Sequence, residues 1–158
     1  MAQFWFVSRR VGIALAAAMC VWLGDSTSAQ ESKPTLIQQR QEAMKANLAA
    51  NRIAEQMTRG ARPWNRDVAR QVAIRFNTVA QRIPELFAPA SQGEPGETAA
   101  LPVIWRSHAD FLDLAAQLDI ESRRLFARAD ANDQAGFAAQ FLVVDAVCSS
   151  CHNKFRKP

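Results

Sequence analysis

The chain has 158 residues, a length typical of a single domain. It contains no tyrosine and only six glycines, and alternating runs of Val, Ile and Thr are almost absent, so a β-sheet protein is disfavoured. The net charge of +4 comes from interspersed charges, which solvated helix faces explain as well as a nucleic-acid-binding surface does. Abundant Ala, Leu, Arg, Gln and Glu favour helices.

Residues 1–29 have the layout of a secretory signal peptide. MAQFWFVSRR ends in two arginines, the uncharged run VGIALAAAMCVWL follows, and GDSTSA places small residues before Gln30. The uncharged run is shorter than the roughly 20 residues that a membrane span needs, although a membrane anchor is the alternative interpretation. We therefore expect residues 30–158 to be a periplasmic domain without stable membrane insertion. Export also argues against nucleic acid as a partner.

Four amphipathic helices are expected in the exported part, each bounded by capping or helix-breaking residues. Four helices on this length predict an all-α fold, an antiparallel up-down-up-down four-helix bundle, with the long loop PELFAPASQGEPGETAALPV between the second and third helices. The predicted boundaries are Ser32 or Thr35 and Gly60 for the first, Pro63 and the residue before Pro84 for the second, a Ser107–Asp110 capping box for the start of the third, and Asn132 or Asp133 for the start of the fourth.

The last predicted helix carries the motif CSSCH. Cys148 and Cys151 are three residues apart and His152 is four from Cys148, so all three share one helix face. C-x-x-C-H is typical of covalent haem attachment: two thiols add to the vinyl groups of the haem, and the adjacent imidazole reaches the iron from one face. The motif therefore predicts one haem c, with His152 as the axial iron ligand.

The motif has three alternative interpretations. An even pair of cysteines in an exported chain is compatible with a Cys148–Cys151 disulfide. A redox C-x-x-C active site prefers a strand-to-helix turn, which an all-α chain does not offer. A zinc site needs a fourth ligand, and His108 is the only other histidine in the chain.

The opposite wall of the pocket is expected on the first helix. Arg40, Met44 and Leu48 share one face of that helix with Ile37, and Gln41 borders it. Met44 is thus predicted beside the haem, either as core packing or as a second iron ligand, and Arg40 near the propionates. Arg156, one turn beyond His152, is predicted at the proximal side or at a propionate, and three aromatic residues are candidates for shielding the haem from water: Phe87, Trp105 and Phe155.

The chain resembles the class II c-type cytochromes, and among them cytochrome c′. The similarity covers essentially all of residues 30–158 and is carried by RQEAMK, IPELF, LPVIW and the terminal CSSCHNKFRK. It implies Cys148 and Cys151 as thioether cysteines, His152 as axial ligand and Arg156 as the basic residue close to it.

The resemblance also implies roles for the other pocket residues. Arg40 and Gln41 would lie near the propionates, and Phe87 would lie at the end of the second helix. Met44 would occupy the distal position, which in cytochromes c′ holds a bulky residue not bonded to iron. It further implies a periplasmic homodimer whose five-coordinate haem binds nitric oxide and carbon monoxide.

The leading hypothesis is a periplasmic haem c protein that transfers electrons or binds small gases, with a redox partner that the sequence does not identify, and not an enzyme. The alternative is a low-spin electron-transfer cytochrome with His152 and Met44 as axial ligands, because low-spin class II cytochromes carry an iron-binding methionine in the same region. A third class, a disulfide-bonded helical binding protein without haem, would be colourless.

Overall fold

The computed structural model describes residues 34–92 and 98–158, so the predicted signal peptide lies outside the described residues. A 3-10 turn at Pro89–Ser91 follows the second helix, and the only β-type pairing among the described residues is an isolated bridge between Ala100 and Arg156. The helices in this part of the chain are α1 (Leu36–Thr58), α2 (Arg66–Leu86), α3 (Val103–Arg106), α4 (His108–Asp130) and α5 (Gln134–Phe155).

The four long helices form the predicted four-helix bundle. α2 packs against both α1 and α4, and α4 packs against α5, whereas α1 and α5 touch only sparsely. The core is built from apolar side chains on the inward faces, with Phe76 and Phe137 among the largest buried groups. The all-α prediction is therefore confirmed, and the gap between α1 and α5 is where the packing is incomplete.

Several helix ends follow the sequence prediction. The Thr35 hydroxyl accepts a hydrogen bond from the Gln38 backbone N–H at 3.2 Å, and the Gln38 side chain accepts one from the Thr35 backbone N–H at 2.8 Å, which forms a capping box at α1. Gly60 follows α1 with φ of +72°, a conformation that favours glycine. Asp133 caps α5 by accepting a hydrogen bond from the Gly136 N–H at 2.8 Å.

Two predicted boundaries and one predicted capping box are wrong. α2 begins at Arg66 with Asn65 as N-cap, and it continues through Pro84 to Leu86. Proline in a helix loses one backbone hydrogen bond and crowds the carbonyl four residues earlier, and the packing of α2 against α1 and α4 outweighs this cost. The capping box predicted for the third long helix does not form, because Ser107 makes no side-chain cap and Asp110 accepts a hydrogen bond from Lys154 instead.

α5 is long and apolar enough to cross a membrane by length and composition, and among the described helices it alone is. In the bundle its inward face contributes Phe137, Phe141 and Val144 to the core. Its apolar composition is therefore also that of a core helix, and the same inward face continues into the C-x-x-C-H motif.

Candidate haem site

A cavity of about 630 Å³ opens where α1 and α5 fail to pack against each other. Its volume lies in the range of cofactor sites, about 300–1,000 Å³. Apolar side chains from α2, from α4 and from the segment between them form much of its wall: Phe76, Ile83, Phe87, Ile104, Phe111, Leu114 and Leu118. The cavity therefore offers a flat apolar cofactor a largely apolar surface to pack against.

The three residues of the motif line this cavity together. Cys148, Cys151 and His152 all lie on α5, which stays helical to Phe155. Both thiols are half-buried and neither is joined in a disulfide. The helix thus presents two thiols and an imidazole to one space, as the spacing predicts.

Burial changes the protonation of the motif in the chain without haem. It raises the pKa of the Cys148 thiol to about 11, with the neighbouring Asp145 and Cys151 as further causes, and it raises the pKa of Cys151 in the same direction. Loss of hydration on its protein-facing side and, second, the charge of Arg156 lower the pKa of His152, which is otherwise exposed. The imidazole is therefore held in its neutral form, the form that ligates iron.

The wall formed by α1 contains the residues predicted there. Arg40, Gln41 and Met44 all line the cavity, and so does Leu48, which is 50% exposed. A large apolar side chain that is half exposed on a cavity wall is explained if a cofactor covers it.

Arg40 makes contacts that the sequence did not indicate. It is only 4% exposed, and its Nε donates a hydrogen bond to the Leu86 carbonyl at 2.6 Å, while Nη2 lies 3.5 Å from the Ser91 carbonyl. The guanidinium also lies over the rings of Phe87 and Trp105, at 4.7 and 5.6 Å from their centroids. Arg40 thus ties α1 to the end of α2, and its predicted contact with a propionate stays a prediction.

The aromatic candidates divide into two groups. Phe87 and Phe155 line the cavity, and each packs against Phe111, with ring centroids 5.0 and 5.2 Å apart. Trp105 does not line it; its indole N–H reaches the Ala88 carbonyl at 3.4 Å and its ring faces Arg40. Trp105 therefore lies behind the cavity wall, in contact with Arg40 and Ala88.

The chain beyond α5 closes one side of the cavity. The Leu101 N–H donates to the Phe155 carbonyl at 3.0 Å, and the Lys157 N–H donates to the Ala99 carbonyl at 2.8 Å. These bonds hold Arg156, which lines the cavity, beside the segment that leads into α3. The sequence does not predict these hydrogen bonds, because the two short segments that they join carry no periodic pattern.

Sequence reasoning also missed polar residues on the cavity wall. Asn47 and Asn51 of α1 and Asp145 of α5 line the cavity. The helical spacing contained the signal: Asn47 is three residues after Met44, and Asn51 is four after Asn47, so both continue the face of Met44. His108, the remaining histidine, does not line the cavity and stacks on Phe111 at 6.3 Å.

The residues present fit a covalently bound haem. The two thiols and the imidazole face one cavity, most of whose wall is apolar, and Leu48 lies half exposed on that wall. Nowhere in residues 34–92 and 98–158 do three His, Cys, Asp or Glu side chains converge as metal ligands, so the zinc alternative finds no ligand set there. A four-helix bundle whose cavity is lined by two thiols and an adjacent imidazole defines a class of protein, the four-helix-bundle haem c proteins.

Comparison with known proteins identifies the family. The sequence profile described as Cytochrome C′ matches residues 35–156, which is most of the chain. The chain therefore belongs to the cytochrome c′ family. Proteins of this family carry covalently bound haem c, so the predicted cofactor is confirmed.

The relatives of this chain include proteins named cytochrome c-556 and proteins named cytochrome c′. Cytochrome c-556 from Agrobacterium tumefaciens (strain B2A) is 30% identical over 76% of this chain and 95% of its own length. The solved structure of cytochrome c′ from Rhodopseudomonas palustris is 29% identical, with a TM-score of 0.71, and the match covers 80% of this chain and 98% of that one. A single-site variant of cytochrome c′ from Alcaligenes xylosoxidans, solved as a nitric oxide complex, has a TM-score of 0.70 at 24% identity over 78% of this chain and 94% of its own.

Proposed function

We propose that this protein is a periplasmic, non-enzymatic haem c protein that binds small gases such as nitric oxide and carbon monoxide at an open coordination position, and that also transfers electrons. The observation that carries the proposal is the cavity itself. His152 lines it from α5, and on the α1 side Met44 is the one side chain of a type that commonly ligates haem iron; the others there are Arg, Gln, Lys, Asn and Leu. The nitric oxide complex of the Alcaligenes xylosoxidans relative supports gas binding.

The low-spin alternative also has a specific observation in its favour. Met44 lines the same cavity as His152, and a thioether is an established iron ligand in cytochromes c. Relatives named cytochrome c′ and cytochrome c-556 both match this chain, so their names do not decide between the two functions.

Replacing Met44 with Ala separates the two functions. For a gas-binding protein, we expect the ferric protein to be high-spin by electron paramagnetic resonance and to stay high-spin in Met44→Ala, because no iron bond is lost. A low-spin spectrum, with a methionine-to-iron charge-transfer band that disappears in Met44→Ala, would establish the electron carrier instead.

Met57→Ala is the matched control. Met57 also lies on α1 and is 2% exposed, but it lines a separate cavity of about 270 Å³ next to Trp64. Its truncation therefore lowers stability without touching the haem cavity, and the spin state should not change. A spin-state change of equal size in Met57→Ala would show that general loosening of the bundle, and not Met44, sets the iron ligation.

Export and self-association complete the proposal. The expected mature N-terminus is Gln30, which N-terminal sequencing of protein released from the periplasm would read; a start at Met1 would refute cleavage.

Four large apolar side chains outside the haem cavity are exposed and are available for a homodimer interface: Ile74, Ile120, Leu142 and Val143. Sedimentation at micromolar concentration should give the mass of a dimer, and a monomer would refute this part.

A further inference from the structure

Among residues 34–92 and 98–158, Asp145 is the only acidic side chain on the wall of the haem cavity. It lies on α5, three residues before Cys148, and it is half-buried. In the same part of the chain no cation and no hydrogen-bond donor pairs with its carboxylate. A charge that has lost part of its hydration is usually paired, because burial without a partner is costly. Asp145 therefore places an uncompensated negative charge beside the cavity.

The cations on the cavity wall are engaged elsewhere. Lys45 forms an ion pair within α1 at 2.7 Å, and Arg40 is held by carbonyl groups at the end of α2. Arg156 and Lys157 follow the end of α5, and Arg156 is eleven residues beyond Asp145. Eleven residues correspond to about 16 Å along a helix axis. The charge of Asp145 is thus not cancelled at its own end of the site.

This charge acts on the sulfur through which haem is expected to be attached. In the chain without haem, burial and, second, the charge of Asp145 raise the pKa of the Cys148 thiol. In the loaded protein, the predicted thioether joins that sulfur to the edge of the haem ring. A carboxylate close enough to act on the sulfur is close to the ring as well. A haem that fills the cavity also removes part of the water that screens the carboxylate.

The expected consequence is electrochemical. Reduction adds one electron to the ferric iron and removes one positive charge, so a fixed negative charge nearby favours the ferric form. We propose that Asp145 lowers the reduction potential of this haem by holding an unpaired carboxylate beside the Cys148 thioether. The inference rests on the predicted attachment through Cys148, which replacing both cysteines tests separately, and it does not depend on whether the iron binds a gas.

The test is the midpoint potential of the full haem-loaded protein, titrated with dithionite in the presence of redox mediators and followed by absorption. Asp145→Asn keeps the shape of the side chain and removes its charge. Reduction should become about 2- to 5-fold more favourable, a rise of about 20–40 mV at 59 mV per tenfold. Asp145→Glu, which keeps the charge, should stay close to the wild type. The rise should shrink at high salt, because the carboxylate is only half-buried.

Asp113→Asn is the matched control. It removes one carboxylate from an exposed site on α4 that does not line the cavity, and no ion pair in the described part of the chain involves Asp113. The net charge changes by the same amount as in Asp145→Asn, but solvent screens this position, so the potential should change less.

Three results would overturn the inference and leave the haem assignment intact. The first is a potential that stays the same or falls in Asp145→Asn. The second is an equal rise in Asp113→Asn, which would mean that only net charge matters. The third is a changed ferric absorption spectrum in Asp145→Asn, which would assign the shift to altered iron ligation.

Two further results bear on the starting assumptions. Covalent haem in the double cysteine variant would overturn the attachment and, with it, this inference. If Asp145→Asn does not accumulate as haem-loaded protein, Asp145→Ala removes the same charge and should raise the potential in the same direction; an unchanged potential there would overturn the inference.

Discussion

Haem is expected to be lost completely from denatured protein when Cys148 and Cys151 are both replaced with Ser. In the wild type, both thiols line the cavity from one face of α5, and each can form one thioether bond. Without them, haem is held only by His152 and by apolar contacts, which denaturation destroys. Acid–acetone extraction followed by haem-stained denaturing electrophoresis should show a stained band for wild type and none for the double variant.

Ser149 and Ser150 provide the control, because they lie between the two cysteines. Both are exposed, and the Ser150 hydroxyl only donates to the Ala146 carbonyl at 2.8 Å. Their joint replacement with Ala should leave the stained band at full intensity. Covalent haem that persists in the double cysteine variant would refute the assignment of the attachment site, whatever the spin state of the iron.

The second large effect is expected on stability. Arg40→Met removes a buried guanidinium of which two nitrogen atoms face the Leu86 and Ser91 carbonyls, and it leaves both carbonyls without that donor. A buried polar group left unpaired costs about 1–3 kcal/mol, and the contacts with the rings of Phe87 and Trp105 are lost as well. The free energy of unfolding should fall by about 2–4 kcal/mol. Urea unfolding of the haem-loaded protein measures this fall in free energy. The slope of the free energy against urea concentration should be the same in both proteins, which shows that the same transition is compared.

Arg82→Met is the matched substitution at an exposed site. Arg82 makes a single side-chain bond, from Nη2 to the Gln39 side chain at 3.2 Å, so its loss should cost less than about 0.5 kcal/mol. If Arg40→Met is no more destabilising than Arg82→Met, the buried contacts of Arg40 contribute little. The role of Arg40 would then lie mainly in contact with the haem, because it lines the cavity.

The parts of the site that sequence predicts best are those set by helical period alone. Cys148, Cys151 and His152 follow from one motif on one helix, and the position of Met44 on the cavity wall follows from the inward face of α1. Neither depends on how helices are arranged in space. The same rule, applied further along α1, would have found Asn47.

What the sequence could not supply are contacts between segments far apart in the chain. The bonds from Arg40 to the end of α2, and those from residues 99–101 to the end of α5 and the chain after it, join segments whose relative position no periodicity encodes. The prediction that the second helix ends before Pro84 failed for a related reason, because the packing of α2 against α1 and α4 outweighs the local preference to end the helix. Apart from the start of α2, the departures from prediction lie near the haem cavity, where contacts between distant segments determine the structure.

The sparse contact between α1 and α5 has a consequence for how the chain folds. Each of these helices is joined to its sequence neighbour by a short connection, residues 59–65 and 131–133, so two helical hairpins can form from local contacts. A haem bound at the predicted site would lie in the seam where the first and last long helices meet, the most non-local junction of the fold. Attached to α5 through two sulfur atoms and lying against α1, it would fill that seam, so we expect haem binding to stabilise the docking of the two hairpins more than the formation of either one.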